Sequence, residues 1–173
     1  FKDKIIYLVL DHEPNGIETI NNKDNESTKS GKYILNAAKR ENYHRNYITR
    51  GLEEANLEDI IMVSDADEIP NLENLDLKKI KNKLIFFQQK MFYYKLNLCM
   101  DSFNWFGTKV CKKKDLISPQ WLRNIKDRTY SFWRIDTLFS KVKYQNIYFI
   151  NDGGWHFSNI KNAKAIEEKL KSY

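Results

Sequence analysis

Apolar residues in the first part of this chain form short unbroken runs separated by a helical repeat. Residues 5–10 form one such run and residues 60–63 form another. Runs of this length are typical of strands buried on both faces of a parallel sheet. Between them, apolar positions recur at helical spacing from Tyr33 to Leu52, which predicts one or two helices. The pattern therefore predicts strand, helix and strand in that order.

The rest of the chain mixes both periods. Residues 15–31 are almost entirely polar and predict a long flexible loop. From residue 92 to residue 100 the even positions are apolar, which is the alternation of a half-buried strand. Further strands are predicted at residues 84–87, 107–111 and 144–150, and helices at residues 72–80 (with Asn71 as N-cap), 118–123 and 162–173.

This order of elements predicts an α/β fold, in which a mixed sheet flanked by helices is followed by a more antiparallel β section. A length of 173 residues, 42% of them hydrophobic, suits one compact domain over residues 1–173. In such sheets, ligands bind beyond the carboxyl ends of the strands. Residues that follow the strands are therefore the first candidates for a functional site.

Charge and hydropathy exclude some function classes. The net charge of +6 comes from lysines scattered among acidic residues, so nucleic-acid binding is not predicted as the main function. The longest basic run is Lys112-Lys113-Lys114, which is typical of a solvated loop. No stretch of about 18 apolar residues occurs, so no transmembrane segment is predicted in this chain.

The two cysteines leave two interpretations open. Cys99 and Cys111 lie symmetrically about Trp105, so a hairpin over residues 96–114 would let them face each other as a disulfide. The alternative is two small buried thiols, which is the commoner situation for isolated cysteines.

An acidic motif follows the second apolar run directly. Asp65 and Asp67 are two positions apart, so their carboxylates point the same way if the segment leaves the strand extended. Two carboxylates at one point suit Mn²⁺ or Mg²⁺, which take further oxygens from phosphates. A calcium loop of the EF-hand type is excluded, because Pro70 and Asp76 stand where it needs Gly and Glu. A haloacid-dehalogenase-like phosphatase, with Asp65 as nucleophile, stays open as an alternative.

A second candidate segment follows the strand predicted at residues 144–150. Gly153 and Gly154 allow a tight turn or a close approach to a ligand. His156 lies between two aromatic residues, one of them Trp155, which suits a metal ligand, a general base or a buried core histidine. The aromatic faces could stack on a sugar ring or belong to the core.

Together these segments resemble glycosyltransferase family 17, the bisecting β-1,4-N-acetylglucosaminyltransferases. The matching segments are residues 41–47 (ENYHRNY), 59–70 (DIIMVSDADEIP), 105–111 (WFGTKVC), 116–123 and 153–158 (GGWHFS). One departure is that Tyr43-His44 stands where the family usually has Trp-Gln. The family also has a further strand and helix before the segment that matches residues 5–10, so the resemblance implies an N-terminally truncated member.

The resemblance implies a GT-A-like (Rossmann-like) fold and metal-dependent, inverting transfer of N-acetylglucosamine, or a related hexose, from a UDP-sugar to a glycan acceptor. It implies Asp65, Asp67 and His156 as ligands of Mn²⁺ or Mg²⁺. It also implies a set of donor-binding or acceptor-binding residues, namely Arg45, Asn46, Trp105, Gly107, Gly153, Gly154 and Trp155.

Inversion needs a general base at the acceptor hydroxyl. Glu68 and Asp136 are the first candidates, with Asp101 and Asp127 as further ones, and the sequence does not choose among them. A non-catalytic sugar-binding remnant is the third functional reading. The expected compartment is the cytoplasm for a microbial or viral protein, and the Golgi lumen for a member of the eukaryotic secretory pathway.

Overall fold

The computed structural model describes residues 2–171, which divide into two compact units. Unit 1 holds the residues up to Glu54 together with those from Lys164 onward, and unit 2 holds residues 55–163. The chain has a mixed α/β structure, with three α-helices over the described residues: α1 (Glu26–Tyr47), α2 (Pro119–Asn124) and α3 (Ala163–Lys171). None of these helices is both long enough and apolar enough to cross a membrane.

Unit 1 is organised around α1. Asn25 caps this helix, because its side chain accepts a hydrogen bond from the backbone N–H of Thr28 at 2.8 Å. On the helix, the buried amide of Asn36 binds both the N–H and the C=O of Glu18, each at 2.8 Å. This pair ties the preceding segment to the helix. The loop expected over residues 15–31 is therefore shorter, since its last six residues belong to α1.

The strand predicted at residues 5–10 does not form. The side chains of Ile5, Ile6, Tyr7 and Val9 are exposed, and no strand is present between Lys4 and α1. An apolar run becomes a buried strand only where neighbouring strands satisfy its backbone and cover its faces. Both sheets of the described chain are built from residues 60–158, so this run has no strand partner.

Unit 2 contains two four-stranded sheets. Its strands are β1 (Ile60–Val63), β2 (Glu68–Pro70), β3 (Leu84–Phe87), β4 (Gln89–Tyr93), β5 (Cys99–Trp105), β6 (Lys109–Lys112), β7 (Ile147–Ile150) and β8 (Gly154–Ser158). The first sheet has the order β1-β6-β3-β7 and the second has the order β2-β8-β4-β5. Both are mixed, because β3 pairs with β7 and β4 with β8 in parallel, while the other neighbours are antiparallel.

The core of unit 2 lies on the first sheet. Phe86 and Phe87 in β3 are fully buried, as is Leu122 in α2, which packs against β1 and β6. Ser118 caps α2 by accepting from the N–H of Trp121 at 3.1 Å. The predicted strands β1, β3 and β7 and the predicted helix α2 are confirmed. Each is marked in the sequence by a short apolar run or by a capping residue, signals that depend only on neighbouring residues.

Two predicted elements of unit 2 are wrong. The strand expected over residues 92–100 is a hairpin, in which β4 ends at Tyr93, Tyr94 takes a positive φ of 67°, and β5 begins at Cys99. The turn contains no glycine or proline, and its one turn-forming residue, Asn97, stands between leucines that continue the alternation of the predicted strand. The helix expected over residues 72–80 is reduced to a 3₁₀ turn at Leu77–Lys79, and Asn71 accepts from the N–H of Glu73 instead of capping a helix.

The disulfide interpretation is also wrong. Cys99 begins β5 in the second sheet, whereas Cys111 lies in β6 in the first sheet, and both are free thiols. The hairpin that would have joined them does not exist, because β6 pairs with β1 and β3 rather than with β5. Cys111 is buried, and desolvation raises the pKa of its thiol to about 12.

A buried lysine joins the first sheet to the end of α2. The Nζ of Lys109 donates to the carbonyl oxygens of Arg123 at 2.8 Å and Ile125 at 2.6 Å, and it lies 4.5 Å from the centre of the Phe86 ring. Burial, and then the nearby positive charge of Arg123, lower the pKa of Lys109 to about 8 from its ordinary value of 10.5.

The depressed pKa of Lys109 predicts a stability that rises with pH. Between about pH 8 and 10.5 the unfolded chain keeps a proton that the folded chain has lost, so unfolding becomes less favourable as pH increases. We expect this lysine to contribute about 3 kcal/mol to the difference in unfolding free energy between pH 7.5 and 10.5. Urea unfolding of the wild type and of Lys109→Met at both pH values measures the difference. Identical pH dependence in the two proteins would contradict it.

Candidate functional site

Four strand ends of the first sheet meet at one edge. Val63 at the end of β1 and Phe86 near the end of β3 both pair with Lys109 at the start of β6, and Phe87 pairs with Ile150 at the end of β7. The same edge therefore holds the residues that follow β1, β3 and β7, together with those that precede β6. Ligands of α/β sheets bind at such an edge.

The acidic motif crosses this edge from one sheet to the other. It leaves β1 at Ser64 and enters β2 at Glu68, whose N–H donates to the carbonyl of Asp65 at 3.0 Å. The Ser64 hydroxyl is hydrogen-bonded to the Thr108 hydroxyl at 2.7 Å, just before β6 begins. The motif is therefore a tight turn fixed at both ends, which orients its carboxylates.

Glu68 is the buried centre of the site. Its side chain is 0% exposed, and its two carboxylate oxygens accept from the Arg123 guanidinium at 2.8 and 3.0 Å. Further donors are the indole N–H of Trp105 at 2.8 Å and the backbone N–H of Asp65 at 2.9 Å. A side chain at Gly107 would overlap the Glu68 carboxylate, so glycine is required there.

Arg123 connects the buried carboxylate to the exposed part of the motif. Besides Glu68 it donates to the carboxylate of Asp65 at 2.8 Å and to the carbonyl of Gly107. Arg123 is not among the site residues predicted from the sequence. No local sequence pattern indicates that an arginine at the end of α2 binds a turn 55 residues earlier. The one available signal is that Arg123 is the last residue of the family-like segment at residues 116–123.

Asp67 and His156 face each other beside this network. The Oδ2 atom of Asp67 lies 3.3 Å from the Nε2 atom of His156, and the backbone N–H of Phe157 donates to the carbonyl of Asp67 at 2.9 Å. The imidazole ring stacks on Trp105, with ring centres 4.7 Å apart. His156 is buried, and its Nδ1 is the one buried side-chain polar atom without a hydrogen-bond partner among the described residues.

The charges of the site do not balance. Asp65, Asp67 and Glu68 are three carboxylates within four positions, and the nearby cation that binds two of them is Arg123. The formal negative charges of the three carboxylates therefore exceed the positive charge of Arg123. A divalent cation compensates such a charge.

The glycines predicted to bind substrate have packing roles in the structure. Gly153 exchanges backbone hydrogen bonds, donating to Gln88 at 2.7 Å and accepting from Asn71 at 3.0 Å. Gly154 has a φ of +121°, and a side chain there would overlap the carbonyl of Ile69. Gly154 therefore lets β8 approach β2, and Gly153 packs closely against the backbone of Phe87 and Gln88, whereas Trp155 is exposed on β8.

Other predicted site residues lie elsewhere in the chain. Arg45 and Asn46 lie in α1 of unit 1, where Arg45 donates to Glu41 at 2.7 Å. Of the candidate bases, Asp101 is exposed on β5 and Asp127 is exposed after α2. Asp136 is paired with Arg134 and Lys143, whose hydrogen bonds hold the pKa of its carboxyl well below the usual range.

Two of the three predicted metal ligands, Asp67 and His156, face each other at this edge. Over the residues that the structure describes, no three His, Cys, Asp or Glu side chains converge as a ready metal site. The pair of Asp67 and His156 supplies one carboxylate and one imidazole, which suit Mn²⁺. His156 faces Asp67 through its Nε2 atom, and its buried Nδ1 atom has no hydrogen-bond partner among the described residues.

Comparisons of the chain with protein-family models, with curated proteins and with solved structures found no match. The resemblance to glycosyltransferase family 17 therefore stays a prediction.

Proposed function

We propose that this chain is a metal-dependent, inverting glycosyltransferase domain with a GT-A-like fold. It would transfer N-acetylglucosamine, or a related hexose, from a UDP-sugar to a glycan acceptor. The observation that carries the proposal is the pairing of Asp67 with His156 at 3.3 Å, beside Asp65, at the edge where four strand ends meet. The excess of carboxylates over Arg123 in the acidic motif supports a divalent cation there.

In this proposal Asp67 and His156 hold Mn²⁺ or Mg²⁺, and Asp65 joins them. When bound, the metal supplies electrostatic stabilisation of the diphosphate as it departs. The bond between the anomeric carbon and the diphosphate oxygen breaks, and a bond to the acceptor oxygen forms on the opposite face of the sugar. The acceptor hydroxyl transfers its proton to a general base.

Glu68 takes the role of a positioning residue in this proposal. Both of its oxygens already accept from Arg123, and its side chain has no exposed surface. A general base must reach the proton that it removes, and this carboxylate is closed off by donors. Glu68 accepts hydrogen bonds from Arg123, which also binds Asp65, and from Trp105, which stacks on His156. It thereby fixes the two side chains that hold Asp65 and His156 in place. The base belongs to a residue that faces the acceptor.

The two alternatives have less support from the geometry. A phosphatase would need the Asp65 carboxylate to attack phosphorus, and one oxygen of that carboxylate accepts from Arg123 at 2.8 Å. A non-catalytic remnant would keep the turn around Glu68 without needing the orientation of His156 toward Asp67. Neither alternative accounts for the pairing of Asp67 with His156.

Isothermal titration calorimetry tests the proposal. We expect UDP to bind in the presence of Mn²⁺ and to give no heat when Mn²⁺ is removed with EDTA, with GDP as the control for base recognition. Detection of free N-acetylglucosamine and UDP from UDP-N-acetylglucosamine would establish donor hydrolysis. A folded protein that binds no UDP at millimolar Mn²⁺ contradicts the proposal. A beryllium-fluoride adduct on Asp65 would favour the phosphatase.

A further inference from the structure

A closed loop extends from the end of α2. The backbone N–H of Lys126 donates to the carbonyl of Val142 at 2.8 Å, and the indole N–H of Trp121 donates to the carbonyl of Lys141 at 2.8 Å. These two bonds join the ends of residues 126–142, named here the 126–142 loop. The loop therefore leaves and returns at the helix that carries Arg123.

Polar groups hold the interior of this loop. Thr137 is its buried residue, and its hydroxyl donates to the carbonyl of Arg134 at 2.6 Å. The amide of Gln145 donates to the Thr137 hydroxyl at 2.9 Å and to the carbonyl of Ser131 at 3.1 Å. These bonds fix the backbone of the loop from inside.

Large apolar side chains cover the outside of the same loop. Five of them, within eight residues, have exposed fractions between 68% and 85%: Phe132, Trp133, Ile135, Leu138 and Phe139. The rings of Phe132 and Trp133 are in contact, with centroids 3.8 Å apart. An ordinary surface loop covers most of its large apolar side chains, whereas this loop exposes them together with its charged residues. A cluster of exposed apolar residues marks an interaction surface.

The charge of the loop indicates which partner it fits. It contains four basic residues (Lys126, Arg128, Arg134 and Lys141) and two acidic ones (Asp127 and Asp136). Aromatic and aliphatic side chains combined with lysine and arginine are typical of segments that insert into the headgroup region of a bilayer. Anionic lipids attract such basic residues.

We propose that the 126–142 loop attaches this protein peripherally to anionic lipid bilayers. Phe132, Trp133 and Phe139 enter the interface between headgroups and acyl chains, while Arg128 and Lys141 contact the headgroups. This attachment does not depend on the proposed glycosyltransferase activity. It would bring α2, which carries Arg123, to a membrane surface. The sheet edge with the carboxylates that Arg123 binds would come with it.

Vesicle co-sedimentation of the full chain tests this attachment. We expect binding to vesicles of phosphatidylcholine and phosphatidylserine, weaker binding to phosphatidylcholine alone, and a decrease with added salt. Phe132→Ser/Phe139→Ser should weaken binding on the order of a hundredfold, because two large apolar side chains no longer insert. Arg128→Gln/Lys141→Gln should weaken it about tenfold. The matched control is Leu57→Ser/Ile117→Ser, which removes two apolar side chains exposed to similar fractions (66% and 67%) and should leave binding unchanged.

A spectroscopic measurement tests the depth of insertion. Brominated phosphatidylcholine in the vesicles should quench the tryptophan fluorescence of the wild type, and Trp133→Phe should remove most of that quenching although three other tryptophans are present. Three results would overturn the proposal: no binding by the wild type, equal binding by the Phe132→Ser/Phe139→Ser variant, or equal loss in the matched control. A wild type that self-associates without vesicles, and loses that association in the same variant, would assign the loop to protein contacts instead.

Discussion

Replacing Asp67 by asparagine is expected to reduce Mn²⁺-dependent binding of UDP by more than a hundredfold. Removal of a group that only orients a metal ligand typically costs about 10- to 100-fold, and loss of a ligand itself costs more. The Asp67 side chain is 47% exposed and lies 3.3 Å from His156, so its replacement removes a charge without opening the core. Titration calorimetry with UDP at fixed Mn²⁺ measures the effect.

The control for this prediction is Glu73→Gln, an exposed carboxylate on the segment after β2, which should leave UDP binding unchanged. His156→Phe keeps an aromatic ring against Trp105 and removes the Nε2 atom that faces Asp67. It should therefore lose binding to a similar extent while it stays folded. If Asp67→Asn and His156→Phe both bound UDP as the wild type does, the metal site would not lie at this pair.

Replacing Glu68 by alanine is expected to lower the free energy of unfolding by about 3–5 kcal/mol. Removing one partner of a buried ion pair is strongly destabilising, because the other charge loses its buried counter-charge. In Glu68→Ala the guanidinium of Arg123, whose side chain is 10% exposed, would keep only the Asp65 carboxylate, which is 37% exposed and therefore screened by solvent. The indole N–H of Trp105 would also lose its acceptor.

Urea unfolding of Glu68→Ala measures this loss, with Glu73→Ala as the exposed control, expected within about 0.5 kcal/mol of the wild type. The double variant Glu68→Ala/Arg123→Met should be destabilised by less than the sum of the two single variants, because it leaves no unpaired buried charge. A loss below about 1 kcal/mol in Glu68→Ala would show that the network around Glu68 contributes little to stability.

The two predictions separate binding from folding within one short motif. Asp67 and Glu68 are adjacent in sequence, yet one side chain is about half exposed and the other has no exposed surface. Asp67 lies in the turn before β2, whereas Glu68 is the first residue of that strand and is buried beneath its donors. We therefore expect Asp67→Asn to change binding with little effect on unfolding, and Glu68→Ala to change unfolding first.

Several elements could be predicted from the sequence, because their signals are local. The apolar runs of β1 and β3 and the Ser118-Pro119 start of α2 are read within a few residues. The location of Asp65 and Asp67 follows from the end of β1 in the same way. The two carboxylates nevertheless have different partners, Arg123 for one and His156 for the other, and their spacing did not indicate this.

The tertiary structure decided what depends on partners distant in the chain. Residues 5–10 and residues 60–63 are both apolar runs, and only the second forms a strand, because β6 pairs with it. Glu68 is buried because Arg123 and Trp105, 55 and 37 residues away, donate to it. The sequence by itself thus determined where the acidic turn begins and which residue types it offers. Contacts of the turn with α2, β5 and β8 determined which carboxylate is buried and which faces His156. The reason is that a charge can be buried only where the fold brings hydrogen-bond donors to it.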